Sequence, residues 1–164
     1  MRLTVVRGDI TEQQVDAVVN AANRRMRGGG GVDGAIHAAG GPAILADCQE
    51  RFPHGLATGE AGWTTAGDLP ARWVIHVVGP NFTAGERERS LLTSCYANAL
   101  AVADELGART MAFPLVSAGV YGWPLEDAVD AALETLHGTP TEVHEVRMVA
   151  FGPVVYALIS ARLG

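Results

Sequence analysis

The segment Asn20-Ala21-Ala22-Asn23 and the glycine-rich segment after it, Gly28-Gly29-Gly30-Gly31-Val32-Asp33-Gly34-Ala35-Ile36-His37, carry the strongest signal for the fold in this sequence. The first closes an apolar run at residues 15–20 that predicts a buried strand, and the second leads into helical periodicity over residues 32–39. Four consecutive glycines lose much backbone freedom on folding, so a packing role alone explains them poorly. The N–H groups of such a loop, with the positive end of the helix dipole, suit an anion such as phosphate.

Polar side chains stand on both sides of this loop. Asn20 and Asn23 precede the glycines, whereas Asp33 and His37 follow four residues apart, on one face of the predicted helix. These groups can hold sugar hydroxyls or handle a proton. Taken alone, the glycine run also fits a flexible turn, with Asp33 as a charge at the helix N-terminus and His37 as a half-buried surface histidine.

A dinucleotide-binding motif, Gly-x-Gly-x-x-Gly, also fits the spacing of Gly29, Gly31 and Gly34. In that motif the preceding strand ends at the first glycine, whereas residues 20–27 intervene here. The match is therefore weak, and a nicotinamide-dependent oxidoreductase is the less favoured interpretation.

The composition predicts one domain over residues 1–164, because 164 residues with 48% hydrophobic side chains can bury a sizeable core. The formal net charge of -6 disfavours a nucleic-acid backbone or an anionic membrane surface as partner. All twelve basic residues are arginine, which excludes a lysine nucleophile or Schiff base.

Cysteine and histidine usage favours neither disulfides nor metal. Cys48 and Cys95 fall in predicted helices, where they are expected to be buried small hydrophobes. The five histidines show no i, i+4 pairing with one another, so we expect no metal and no cofactor. The charged start of the chain does not resemble a signal peptide and no run reaches membrane-spanning length, so we expect a cytoplasmic protein.

Strand-like and helix-like segments alternate along the chain. Strands are predicted at residues 3–7, 15–20, 61–65, 73–78, 110–113 and 146–151, and amphipathic helices at residues 87–106 and 125–136. Gly107 and Gly138 are predicted C-terminal caps of those helices. This pattern predicts a three-layer α/β fold with a mostly parallel sheet, whose ligands bind beyond the carboxyl ends of the strands.

Further candidate contacts follow other predicted strands. The loop at residues 117–122 leads from a strand to a helix, which suggests a second phosphate cradle, although an ordinary turn explains it about as well. Asp9 could accept a hydrogen bond from an exocyclic amine, and Phe151 could stack on a base. Two phosphate loops favour a diphosphate over a single phosphate.

In this order, Gly8-Asp9-Ile10-Thr11, Asn20-Ala21-Ala22-Asn23, the glycine-rich segment and residues 117–124 resemble the macro domain family, specifically its MacroD-type ADP-ribosyl hydrolases. The resemblance implies a mixed six-stranded sheet between helices that binds ADP-ribose without metal. It places Asp9 and Ile10 at the adenine, Phe151 against its ring, and the loop from Ser117 around the diphosphate. Ala118 departs from the family pattern, where threonine is usual, and the segment after Phe151 lacks the usual acidic stretch.

The resemblance also implies the chemistry. Asn23, Asp33 and His37 would surround the distal ribose and carry catalysis, with Asp33 orienting a water, Asn23 fixing the sugar and His37 supporting Asp33. We expect ligand contacts at Asp9, Ile10, Asn20, Gly30, Gly31, Val32, Ser117, Ala118, Gly119, Val120, Tyr121 and Phe151.

The expected activity is removal of mono-ADP-ribose from acidic side chains of proteins, deacetylation of O-acetyl-ADP-ribose, or both, by a monomer. A non-catalytic reader of ADP-ribose is the alternative. Removal of ADP-ribose from nucleic acid is known in macro domains that rely on a lysine, which this chain lacks.

Overall fold

Six strands form one mixed sheet in the computed structural model, which describes residues 1–164. The strands are β1 (Arg2–Arg7), β2 (Ala17–Ala22), β3 (Ala61–Thr65), β4 (Trp73–Val78), β5 (Thr110–Phe113) and β6 (Glu145–Ala150). Their order across the sheet is β1-β6-β5-β2-β4-β3, and only the edge strand β3 runs antiparallel to its neighbour. The predicted mixed, mostly parallel six-stranded sheet is confirmed.

Five helices cover the two faces of the sheet. They are α1 (Gly31–Gly40), α2 (Pro42–Arg51), α3 (Arg89–Leu106), α4 (Leu125–Gly138) and α5 (Pro153–Leu163), and a short 3-10 turn spans Ile10–Glu12. Neighbouring strand residues point to opposite faces. Val18 therefore packs in one apolar cluster with α1 and α2, whereas Val19 packs in another with α3, α4 and α5. The result is the predicted three-layer arrangement.

The second strand begins later than predicted, at Ala17 instead of residue 15. Asp16 leaves the strand ladder because its own backbone N–H donates to Thr110 Oγ1 (2.8 Å) and its Oδ2 accepts from the backbone N–H of Arg109 (2.7 Å). The strand also ends later than predicted, at Ala22 instead of residue 20, so Asn20 lies inside β2 with its side chain on the α1 and α2 face of the sheet.

Helix ends agree with the sequence in one case and differ in another. Gly107 caps α3 in the left-handed conformation (φ 73°), as predicted. Gly138 is instead the last residue of α4, and Thr139 is the cap. Cys48 in α2 and Cys95 in α3 are free and buried, which confirms their predicted role as small core residues. None of the helices combines the length and apolar character that a membrane crossing requires.

Candidate functional site

The site lies where the parallel strands end. α1 follows β2, α4 follows β5 and α5 follows β6, so three helices begin at the carboxyl edge of the sheet. The first N–H groups of a helix have no acceptor within it, and the helix dipole is positive there. This edge therefore offers backbone donors to an anionic ligand, as the strand order predicts.

The loop between β2 and α1 is organised by Asn23. Its Nδ2 donates to the carbonyl oxygen of Gly28 (3.1 Å), and its Oδ1 accepts from the backbone N–H of Arg25 (3.1 Å). Asn23 is half-buried, so part of its amide remains accessible. The structure thus places the predicted sugar-binding amide at the entrance of the glycine loop.

Arg27 ties the same loop to the end of α2. Its guanidinium donates to five backbone carbonyls, of which Cys48 and Phe52 belong to the last turn of α2 and its cap (3.3 and 3.0 Å). A cation at a helix C-terminus is favourable because the helix dipole is negative there. The N–H groups of the planar guanidinium fix the conformation of the loop that precedes the glycines.

The glycine run approaches the catalytic candidates closely. A Cβ added at Gly29 would lie 3.1 Å from Asp33 Oδ2 and 3.2 Å from Asn23 Nδ2. One added at Gly30 or Gly31 would meet nothing within 4 Å, so the outer side of these glycines is open. The run therefore serves two purposes, since it lets the backbone pack against Asp33 and leaves an open backbone surface beyond.

Asp33 lies in the first turn of α1 with only 4% of its surface exposed. Its Oδ1 accepts a hydrogen bond from Asn20 Nδ2 (2.8 Å), and His37 Nε2 lies 3.3 Å from the same oxygen. A buried carboxylate requires such partners to remain charged. The geometry brings together Asp33 and His37, as their spacing predicted.

A second histidine lies beneath Asp33. His76 of β4 is 1% exposed, and its Nδ1 lies 3.1 Å from Asn20 Nδ2. Its Nε2 lies 2.8 Å from the hydroxyl of Thr64 in β3. Burial, and secondly the nearby His37, lower the pKa of His76 to about 3, so the ring is neutral at physiological pH.

These contacts change the interpretation of Asn20. The sequence analysis counted it among the ligand contacts, whereas the structure places its side chain in the interior, 0% exposed, with its amide nitrogen between Asp33 and His76. Asn20 therefore donates a hydrogen bond to the Asp33 carboxylate from the sheet side, instead of lying at the ligand surface. Neither His76 nor Thr64 was among the expected site residues. His76 is a polar residue between Ile75 and Val77 on β4, a signal that could have been used, whereas Thr64 stands beside Thr65 and carries no such signal.

The second loop lies between β5 and α4. Ser117 adopts a positive φ of 65°, and its Oγ is buried without a hydrogen-bond partner. The loop is closed by the backbone N–H of Trp123, which donates to the Ser117 carbonyl (2.9 Å). Ala118 and Tyr121 are half-buried, Gly119 is exposed, and Val120 projects into solvent, with 93% of its surface exposed.

The third part of the edge carries Asp9, Ile10 and Phe151. Asp9 is exposed and is the N-cap of the 3-10 turn. Its Oδ1 accepts hydrogen bonds from the backbone N–H (2.8 Å) and the hydroxyl (2.7 Å) of Thr11. Ile10 is buried. Phe151 lies just before Gly152, the N-cap of α5, and is 89% exposed, so one aromatic face is free to stack.

Taken together, the edge offers two loops of backbone donors, an amide and a buried carboxylate with a histidine beside it. This set can hold a diphosphate and sugar hydroxyls, and the carboxylate can accept a proton from a bound water. No group of three or more His, Cys, Asp or Glu side chains is placed to hold a metal ion. The chemistry that Asp33 and His37 can themselves supply is acid–base.

Comparisons with known proteins identify relatives of this chain. A family model described as Macro domain matches residues 19–132. A macro domain-containing protein of Streptomyces coelicolor is 58% identical over 166 residues, covering 99% of this chain and 98% of that protein. A macro domain-containing protein of Listeria monocytogenes is 47% identical and covers 92% and 90% of the two chains.

Solved structures are similar as well. A mutant of the Oceanobacillus iheyensis macrodomain with ADPR superposes with a TM-score of 0.91 at 38% identity, covering 97% of this chain and 90% of that one. The Trypanosoma brucei macrodomain in complex with ADP-ribose superposes with a TM-score of 0.90 at 40% identity, covering 99% and 69%. The likeness extends over nearly the whole chain.

Proposed function

Because this chain belongs to the macro domain family, we propose that it binds ADP-ribose along the carboxyl edge of its sheet and hydrolyses an ester at the distal ribose. The substrates are mono-ADP-ribose on acidic side chains of proteins, O-acetyl-ADP-ribose, or both. The proposal follows the chemistry of the site, which supplies anion-binding loops at one end and a buried carboxylate at the other. Relatives with the same fold bind ADP-ribose or ADP.

The ligand would lie along the edge in one direction. Asp9 and Ile10 would face the adenine, with Phe151 on its ring, and the loop 117–121 would wrap the diphosphate. Gly30, Gly31 and Val32 would supply backbone contacts from the start of α1. The distal ribose would then reach Asn23, beside the open surface of the glycine loop.

Water is the nucleophile in the proposed reaction. It would lie between the diphosphate and the distal ribose, oriented by Asp33 and by the ligand's own phosphate. For ADP-ribose on an acidic side chain, the water oxygen bonds to the anomeric carbon, a water proton passes to Asp33, the bond from that carbon to the ester oxygen breaks, and the side-chain carboxylate leaves. For O-acetyl-ADP-ribose, the water oxygen would bond to the acetyl carbonyl carbon, the bond from that carbon to the ribose oxygen breaks, and the proton taken up by Asp33 passes to the ribose oxygen. His37, 3.3 Å from Asp33, would stabilise the carboxylate before this transfer.

One observation supports hydrolysis over mere recognition. Asp33 is nearly inaccessible, Asn20 and His37 hold its Oδ1, and its Oδ2 faces Gly29, which has no side chain to fill the space beside that oxygen. A reader needs only a hydroxyl partner, which an exposed residue supplies without the burial cost of a charge. We further propose that the protein acts as a cytoplasmic monomer, without metal or cofactor.

The test compares wild type with Asp33→Asn, Asp33→Ala and the exposed control Glu50→Gln. Release of ADP-ribose from a glutamate-modified protein and hydrolysis of O-acetyl-ADP-ribose are measured together with calorimetric binding of free ADP-ribose. Both Asp33 substitutions should lower turnover by about 10²–10⁴-fold, the usual contribution of a general base, while binding is kept. Glu50→Gln should match wild type.

Three outcomes would contradict this proposal in different ways. Tight binding by wild type with no turnover of either ester would identify a reader. Near-full activity of Asp33→Ala in a single turnover would remove Asp33 from the chemistry. Stronger binding of the intact nicotinamide dinucleotide than of ADP-ribose would favour an oxidoreductase.

A further inference from the structure

We infer that Thr64 and His76 are positioning residues, which select the orientation of the Asn20 amide and thereby keep the Asp33 carboxylate in place for the proposed hydrolysis. The inference rests on the proposed function for its kinetic part. Its structural part, a chain of hydrogen bonds with one fixed direction, stands on the geometry below the site.

The three residues under Asp33 form a polar row across neighbouring strands. Asn20 of β2 and His76 of β4 are directly paired in the sheet register, and Thr64 lies on the adjacent strand β3. All three side chains are buried on the face covered by α1 and α2. The row therefore begins at Thr64 on the edge strand β3 and ends at Asp33 in α1, which packs on this face of the sheet.

The direction of each hydrogen bond follows from one charged acceptor. Asp33 Oδ1 accepts at 2.8 Å, so the atom of Asn20 facing it has to be the amide nitrogen, since an amide oxygen there would face a carboxylate. The second hydrogen of that nitrogen points to His76 Nδ1 at 3.1 Å, which must then accept.

The tautomer of His76 is thereby determined. With Nδ1 accepting, the proton of the neutral ring lies on Nε2, which donates to Thr64 Oγ1 at 2.8 Å. The Thr64 hydroxyl in turn donates to the carbonyl oxygen of Thr65 at 2.9 Å. Thr64 is therefore the acceptor that stabilises the Nε2–H form of His76.

The ionisable groups around His76 are consistent with a neutral ring. Its ring centroid lies 6.4 Å from that of His37, and this neighbour adds to the effect of burial in lowering the pKa of His76. The thiol of Cys48 lies 3.9 Å from Nε2, and burial, then Asp33, raise the pKa of that thiol to about 11, so it is uncharged. Asp47 is the carboxylate that favours a charged His76 ring, and burial outweighs it.

Reversing the direction of these hydrogen bonds would remove one hydrogen-bond donor from Asp33. If the proton of His76 moved to Nδ1, that N–H would face the amide nitrogen of Asn20, and the conflict would be relieved only by rotating the amide. Rotation places Asn20 Oδ1 against Asp33 and removes the hydrogen bond to its carboxylate. Because these groups are buried, no solvent replaces the lost partner.

Four variants test the inference. Thr64→Val removes the hydroxyl at nearly constant volume, and Thr65→Val, on the same strand, is the matched control because its hydroxyl lies outside the row. His76→Asn keeps an acceptor at the position of Nδ1, whereas His76→Gln moves the amide to the position of Nε2. Nitrogen-15 NMR of the imidazole reports the tautomer, and ester hydrolysis and ADP-ribose titration report function.

The expected results separate positioning from general structural damage. Wild type should show the Nε2–H tautomer, and Thr64→Val should shift the ring toward the Nδ1–H form. Thr64→Val and His76→Gln should lower kcat by about 10- to 100-fold, a range typical when a supporting partner of a ligating group is removed, with KM and ADP-ribose affinity kept. His76→Asn should recover most of the activity that His76→Gln loses.

An Nδ1–H tautomer in wild type would overturn the inference, and so would equal activity of His76→Asn and His76→Gln. If Thr64→Val fails to fold, the comparison of the two His76 variants decides. If wild type hydrolyses neither ester, the proposed function fails. The direction of the hydrogen bonds can then still be tested by the tautomer of His76 and by the change in the Asn20 side-chain amide resonances in Thr64→Val. An unchanged tautomer and unchanged Asn20 resonances in folded Thr64→Val would refute it.

Discussion

The carbonyl oxygen of Gly29 lies so close to Gly34 that a Cβ added at Gly34 would fall 2.6 Å from it. Gly34 directly follows Asp33 in the first turn of α1, and Gly29 packs against the Asp33 and Asn23 side chains. The two glycines therefore allow the loop to lie against the helix. This contact sets the distance between the loop backbone and the candidate base.

Gly34→Ala should consequently push the loop away from Asp33. The obstacle is backbone and not the end of a flexible side chain, so we expect a loss of about 1–3 kcal/mol in the free energy of unfolding. Gly138→Ala is the control, because it also adds a Cβ to a helix but meets nothing within 4 Å. Urea unfolding should show the control unchanged or stabilised by up to about 1 kcal/mol. Equal stability of the two variants would disprove the contact.

Arg27 should be irreplaceable by lysine. Its two terminal nitrogens donate to five carbonyls, including those of Cys48 and Phe52 in α2 and its cap, and an ammonium group cannot reproduce that fork. Arg27→Lys should lower the free energy of unfolding by about 1.5–3 kcal/mol, the range for hydrogen bonds to charged groups. The neighbouring, exposed Arg25 provides the control, and Arg25→Lys should leave the denaturant midpoint unchanged. A similar midpoint for both would show that the fork contributes little.

The layers of the fold could be predicted from the sequence because they depend on local patterns. Alternating apolar residues indicate strands, and the glycine loop followed by Asp33 and His37 indicates a helix start beside a polar site. The row Thr64, His76 and Asn20 could not be predicted in this way, because its members are 12 and 56 residues apart along the chain. Only the register of β2, β3 and β4 brings them together.

The two-residue error at the end of β2 had a larger consequence than its size suggests. A strand ending at residue 20 places Asn20 at the ligand edge, whereas the observed strand Ala17–Ala22 places it inside the sheet. The strand continues because Ala21 and Ala22 pair with Val77 and Val78 of β4. Such pairing with a distant strand leaves no trace in local periodicity.

Phe151→Ala should weaken ADP-ribose binding without affecting stability. Its ring is 89% exposed, so its removal should change the free energy of unfolding by no more than about 0.5 kcal/mol. Loss of a stacked aromatic should weaken binding by about 1–3 kcal/mol. Val154→Ala, another exposed apolar residue of the same segment, serves as control in calorimetric titrations and should bind nearly as wild type does. Equal affinities for all three proteins would exclude stacking on Phe151.

The buried His76 predicts how stability depends on pH. Its pKa is lowered from 6.5 to about 3 in the folded protein, so between these values the unfolded chain binds one more proton than the native state does. The stabilisation is fully present above pH 6.5 and is lost as the pH falls toward 3, with a slope approaching about 1.4 kcal/mol per pH unit. Urea unfolding between pH 7 and 5 should show this slope in wild type.

Two variants test whether His76 causes the slope. His76→Asn has no titrating side chain at this position and should flatten the slope, whereas His54→Asn, which replaces an exposed histidine, should keep it. If His76→Asn kept the wild-type slope, other groups would account for the pH dependence. The pKa of His76 would then not be lowered in the folded protein.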